Sequence, residues 1–200
     1  NTTGVMDSLV PLFQARQLAL LPNPLPMPVV PLSVGSAGDR QGFVSVARLV
    51  PQKGIDVLIR ALAQTTGAAR DWTLSLVGDG PERRHLEALA GPTVTLLGRQ
   101  PQQRVESLMA RCRAFVFAGL EDFGIAPVEA MASGAPVIAL GRGGLLDTVR
   151  CASSGMPNAT GVLFPDQTLE SLQQAVQWFE EQRLWRQLDA ELIRRWAERF

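Results

Sequence analysis

The chain has 200 residues, 46% of them apolar, and its 19 basic side chains balance 19 acidic ones. That length suits one α/β domain, or one domain with pieces of another, and zero net charge supplies none of the basic field that nucleic acid requires. No run approaches the roughly 18 to 20 apolar residues of a membrane span, no basic-then-apolar leader opens the sequence, and Cys112 and Cys151 show no metal-ligand spacing. A reducing cytoplasm with two free thiols is the default expectation.

In chain order, residues 5–13 predict a short helix and residues 18–21 an apolar run. Prolines at 22, 24, 26, 28 and 31, then Gly35, Ser36, Gly38 and Asp39, exclude a helix interior or central strand. Residues 22–40 therefore read as an interdomain linker. From Gly42 the pattern alternates, with apolar strand candidates at 43–47, 72–77, 94–97, 114–118, 136–140 and 161–164. Helical stretches separate them: Ile55, Leu58, Ile59 and Leu62 at helical spacing, then 81–89, 102–111 and about 126–132. Continuous apolar strands between amphipathic helices predict an α/β fold, a Rossmann-like doubly wound parallel sheet covered on both faces. Its ligands would lie beyond the carboxyl ends of the strands. Two amphipathic helices are expected in the tail, one burying Leu169, Leu172, Val176 and Phe179, the next Leu188, Leu192 and Trp196.

The most informative stretch is GLEDFGIAPVEAMASGAPVIALGRGG at residues 119–144, in which Glu121 and Glu129 sit eight positions apart. Pro127 fits the first turn of a helix and Ser133-Gly134 its end. A helix N-terminus carries free N–H groups and partial positive charge, which suits a phosphate. Glu129 is placed in that first turn, within reach of ribose hydroxyls, with Glu121 on the loop before it. Of the 19 basic residues only Lys53 is a lysine, and it lies in ARLVPQKG at the end of the first strand. Val77-Gly78-Asp79-Gly80-Pro81 reads as a tight turn, Leu97-Gly98-Arg99-Gln100 closes the third strand, and no Asp-x-Asp pair occurs to tether a metal. Asp147 fits a helix start or a ligand, His85 a solvated helix face, and Trp72, Trp178, Trp185 and Trp196 core or domain contacts.

Glu, seven residues, Glu, with FG inside and a GG loop after it, resembles the retaining GT-B glycosyltransferases of family four, also called group 1. EDFGIAPVEAMASGAPVIALGRGGLLDTV looks most like their bacterial O-antigen and exopolysaccharide mannosyltransferase branch, which Leu145, Leu146 and Asp147, standing where the family often has a proline and a glutamate, match better. The resemblance implies a nucleotide-sugar donor half at 41–200, a remnant of an acceptor domain at 1–21, and catalysis by Arg48, Lys53 and Glu121. Arg48 and Lys53 would hold the donor diphosphate; Glu129 would bind ribose. Glu121 with the backbone of Phe123, Gly124, Ile125 and Ala126 would orient the hexose. Gly98, Arg99 and Gln100 would meet the base. It further implies no cofactor, GDP-mannose as donor ahead of a UDP-hexose, a glycan or lipid-linked acceptor, and a cytoplasmic enzyme peripheral to the inner face of the membrane. The same features also fit a non-catalytic nucleotide-sugar-binding module. A dinucleotide dehydrogenase needs a G-x-G-x-x-G turn after the first strand and a P-loop enzyme needs G-x-x-x-x-G-K-S/T; neither is present.

Overall fold

The computed structural model describes residues 39–63 and 72–200; the helix expected at 5–13, the apolar run at 18–21 and the linker up to residue 38 lie outside them. Six parallel strands form one sheet in the order β3-β2-β1-β4-β5-β6. They are β1 (Phe43–Val46), β2 (Leu74–Val77), β3 (Val94–Gly98), β4 (Ala114–Phe117), β5 (Val137–Leu140) and β6 (Gly161–Phe164). All six lie within the expected runs or one residue beyond, because short, mainly apolar runs bounded by glycine and polar turns leave few other registers. β4 and β5 are buried at every position, as central strands covered on both faces must be.

Two cores flank the sheet, and the alternation along each strand divides its side chains between them: Phe43 enters one, Val44 the other. On the first face lie α1 (Ile55–Ala63), α2 (Arg83–Leu89), α6 (Leu169–Glu181) and α7 (Leu184–Gln187). The second face carries α3 (Gln102–Arg111), α4 (Ile125–Ala132), α5 (Leu145–Thr148) and α8 (Ala190–Ala197). The expected face of α1 is the observed one, with Ile55, Leu58, Ile59 and Leu62 buried. Arg40 donates to the carbonyls of Cys112 and Gly134 at 3.0 and 2.7 Å, tying the chain to the lower edge of the sheet before β1 begins.

Two sequence expectations are corrected. The stretch 81–89 becomes helical only at Arg83, because Pro81 and Glu82 complete the turn that leaves β2. The tail holds three helices rather than two, and the last is rotated from the expected face. Asp189 caps α8 by accepting from the N–H groups of Glu191 and Leu192 at 2.8 and 3.2 Å. The helix therefore starts at Ala190 and buries Ile193 and Ala197, leaving Leu192 exposed. Leu188 falls in the link between α7 and α8.

The chain moves outward from β1 to β3 with α1 on one face, returns through α3 on the other, and continues outward from β4. β1 and β4 are thus neighbours whose following helices leave on opposite faces. In an open parallel sheet this reversal opens a crevice at the carboxyl ends of the two strands.

Candidate active site at the strand switch point

The loops that follow β1 and β4 meet at this crevice, main chain against main chain. After β1, Pro51–Lys53 makes one 3-10 turn that Gly54 ends in the left-handed conformation at φ +59°. A methyl at Gly54 would lie 3.2 Å from both the carbonyl oxygen and the Cβ of Ala118, and one at Gly119 would lie 3.2 Å from Cα of Lys53. This contact brings the Lys53 ammonium onto the Glu121 carboxylate in a direct ion pair, both side chains about a quarter to a third exposed. The ammonium also lies 5.9 Å from the centroid of the Phe117 ring. Gln167, which no sequence motif marks, pins the same corner by donating to the Ala118 carbonyl at 2.7 Å.

Immediately beyond Glu121, Gly124 turns the chain at φ +83° and α4 begins. The residue that opens this terminus is a glycine, with no side chain of its own to cap it, and Pro127 has no N–H, so Ile125 and Ala126 carry the first-turn N–H groups. A helix start of this kind, beside a lysine and a carboxylate, is suited to an anionic group that also carries hydroxyls.

Glu129 is the fifth residue of α4, and no acidic residue lies in the first turn. This corrects the expectation, which began the helix one residue later than Gly124 allows. Its carboxyl is half-buried against α3, and burial, aided by the charge of Glu106, pushes its pKa above the ordinary glutamate value. Arg48 is exposed on the β1 loop. Gly98, Arg99 and Gln100 leave the edge strand β3, three positions from β4 in the sheet. At roughly 4.8 Å per strand, that is about 14 Å, so only an extended ligand can touch both ends. Gln100 donates to the Leu97 carbonyl at 2.7 Å and Arg99 is exposed.

Glycine pairs brace both sides of the crevice. Added methyls at Gly143 and Gly144 would lie 2.3 Å from the carbonyl oxygens of Glu121 and Asp122, and the Gly144 N–H donates to the Glu121 carbonyl at 3.0 Å. The loop after β5 thus lies directly on the loop that carries Glu121. Opposite, Gly78 and Gly80 bring the turn after β2 against the main chain of Ala47 and Leu49, where a methyl would lie 1.9 and 2.3 Å from a carbonyl oxygen. The N–H of Leu49 donates to the Asp79 carbonyl at 3.1 Å, which fixes the segment bearing Arg48.

A family model described as glycosyl transferases group 1 matches residues 33–199. The chain belongs to the group 1 glycosyl transferases. Within the family, it is 36% identical over 126 residues to 2-deoxystreptamine glucosyltransferase of Streptomyces kanamyceticus, covering 60% of this chain and 32% of that protein. It is 35% identical over 134 residues to GDP-mannose-dependent alpha-(1-6)-phosphatidylinositol monomannoside mannosyltransferase of Mycolicibacterium smegmatis, covering 59% and 34%. The chain therefore spans about a third of the length of these curated relatives. Among solved structures it resembles the apo lipopolysaccharide outer core galactosyltransferase WaaB, with TM-score 0.78 and 22% identity over 100% of this chain and 56% of that one, a likeness of fold. Anabaena HepE in complex with UDP-glucose matches with TM-score 0.66 and 26% identity over 82% and 45%. The expected family and Rossmann-like GT-B fold are those found, and GDP-mannose-dependent mannosyltransferases recur among the relatives of this group 1 chain.

Proposed function

We propose that this chain is the donor-binding half of a retaining, metal-independent hexosyltransferase. The observation that carries the reading is the meeting of Lys53 and Glu121 beside the glycine-led start of α4, at the crevice where the strand order reverses. Lys53 and Arg48 hold the donor diphosphate, assisted by the first N–H groups of α4. Glu121 and the backbone at residues 123–126 orient the hexose, Glu129 binds the ribose, and the turn at residues 98–100 meets the base. In transfer, the bond between the anomeric carbon and the phosphate oxygen breaks while the acceptor oxygen bonds to that carbon from the same face. The acceptor proton passes to the departing phosphate. Charge grows on that phosphate as the bond breaks, so fixed cations favour the transition state over the bound donor.

GDP-mannose is the favoured donor, with a UDP-hexose second. The mannosyltransferase names among the relatives support the first and the HepE complexes with UDP-glucose the second. The acceptor, a glycan or lipid-linked sugar, would be held by a domain facing this one, because near-attack geometry and water exclusion require an opposing wall. The enzyme would work at the cytoplasmic face of a membrane.

A thermal-shift panel of GDP, UDP, ADP and their sugars, on wild type and Lys53→Ala, tests the reading. Stabilisation by GDP and GDP-mannose that Lys53→Ala diminishes is expected. A shift with UDP but none with GDP would reverse the donor order; no shift with any nucleoside diphosphate would overturn the site. Transfer by a longer chain that collapses in chelator and returns with magnesium would overturn the metal-free mechanism.

A further inference from the structure

Phe123, between Glu121 and the first turn of α4, is half-buried and packs edge-on against Phe200, with centroids 6.1 Å apart at 74°. Phe200 in turn packs edge-on against Trp196 at 5.9 Å and 77°. The Trp196 indole N–H donates to the carbonyl of Thr148, the last residue of α5, at 2.7 Å. Arg150 and Arg199 lie over its ring at 4.7 and 4.5 Å. Along its length α8 seats Ile193 and Ala197 in the core that also holds Val128, Ala130 and Met131 of α4. The end of the tail helix thus touches both segments that build the crevice: the loop of Glu121 through Phe123, and the helix after the Gly143-Gly144 loop through Thr148.

We propose that Phe200 and Trp196 are positioning residues that set the Glu121–Gly124 turn for the sugar-phosphate end of the donor, so that occupancy of this site is sensed at the tail helix. The inference rests on the donor-site reading for its ligand, though the bracing itself is a property of the empty protein. Neither residue touches the donor. They act by fixing the Phe123 ring, whose main chain leads directly into the N–H groups of Ile125 and Ala126. By linkage, a ligand that binds the fixed turn must in turn fix the aromatic chain.

The test uses the 200-residue chain carrying 5-fluorotryptophan, with the Trp196 resonance assigned by its loss in Trp196→Phe. In Phe200→Ala, the amides of Val128 and Gly144, which donate to the Gly124 and Glu121 carbonyls, should exchange faster with solvent while those of α2, far from α8, are unchanged. The affinity for GDP-mannose should fall by about fivefold or more, GMP binding should hold, and Phe200→Tyr should restore both. Donor should move the Trp196 resonance in wild type but not in Phe200→Ala. Loss of GDP-mannose and GMP affinity in equal measure, with a lowered melting temperature and no rescue by tyrosine, would show a merely structural role. Unchanged exchange at Val128 and Gly144 would overturn the bracing even if no nucleotide binds. Failure of wild type to bind any nucleotide, with exchange altered as expected, would instead overturn the donor-site reading and leave the bracing established.

Discussion

The ion pair of Lys53 and Glu121 joins two side chains to which the proposed donor site gives different work, the lysine holding the diphosphate and the carboxylate orienting the hexose. Glu121→Gln should therefore tighten binding of a nucleoside diphosphate. Two unit charges in contact near a protein surface attract by about 4 kcal/mol at an effective dielectric of 20. Desolvation and side-chain entropy offset most of that, and with 22% and 32% of the side chains exposed the net value of such a pair is about 1 kcal/mol. Releasing Lys53 should thus strengthen diphosphate binding by about fivefold, while any added affinity from the hexose is lost with the carboxylate. Titration calorimetry of GDP and GDP-mannose on wild type, Glu121→Gln, Lys53→Ala and the double variant closes the cycle. The fivefold gain must disappear in the Lys53→Ala background. A gain that persists without Lys53, or GDP binding weakened by Glu121→Gln, would refute the reasoning.

Glu129 poses stability against binding. Its pKa is raised by burial and by Glu106, so its contribution to stability is greatest below the unfolded glutamate value and is lost as pH rises through the folded one. Glu129→Gln should then raise the melting temperature at pH 7 yet weaken nucleoside diphosphate binding about tenfold; a lower melting temperature at pH 7 refutes the first half. Affinity for the nucleotide should also fall on acidification at a pH above that of ordinary carboxylate titration, and calorimetry between pH 4 and pH 7 reads it. At Gly144, alanine forces a methyl onto the Asp122 carbonyl; it should cost about 1 to 3 kcal/mol of stability in urea denaturation and displace Glu121, so that GDP-mannose affinity falls as well. Gly155→Ala, with open space around it but φ at +66°, should cost about 1 to 2 kcal/mol and leave GDP-mannose affinity unchanged. Cys112, fully buried with its thiol pushed up to about 12, should resist iodoacetamide at pH 8 until the chain unfolds; rapid native labelling would contradict that burial.

The sheet was legible because parallel strands buried on both faces are mainly apolar, and the tetrads FVSV, AFVF and VIAL admit few other positions. The site was legible at Lys53, Glu121 and the glycine pairs because unusual residues sit at strand ends. What escaped the sequence depends on contacts between distant segments. Gln167 carries no local signature, yet it fixes Ala118 across 49 positions. The face of α8 was misread because apolar spacing at Leu188, Leu192 and Trp196 competed with the Asp189 cap, and the cap fixed the start. Glu129 was placed in the first turn because the expected helix began at about residue 126, and the observed start at Ile125 makes it the fifth helical residue.

The glycine contacts on either side of the crevice have a consequence for how such a site changes over time. Both bracing loops meet the segments of Lys53 and Glu121 by close main-chain contacts, at Gly78 and Gly80 on one flank and Gly143 and Gly144 on the other. These contacts fix part of the crevice's shape without calling on the exposed side chains around it. Leu146, exposed just past the second pair, can be exchanged without touching the peptide groups that hold Glu121. A new sugar or acceptor can then be accommodated by altering the decoration, while the positions of lysine, carboxylate and helix start are inherited intact.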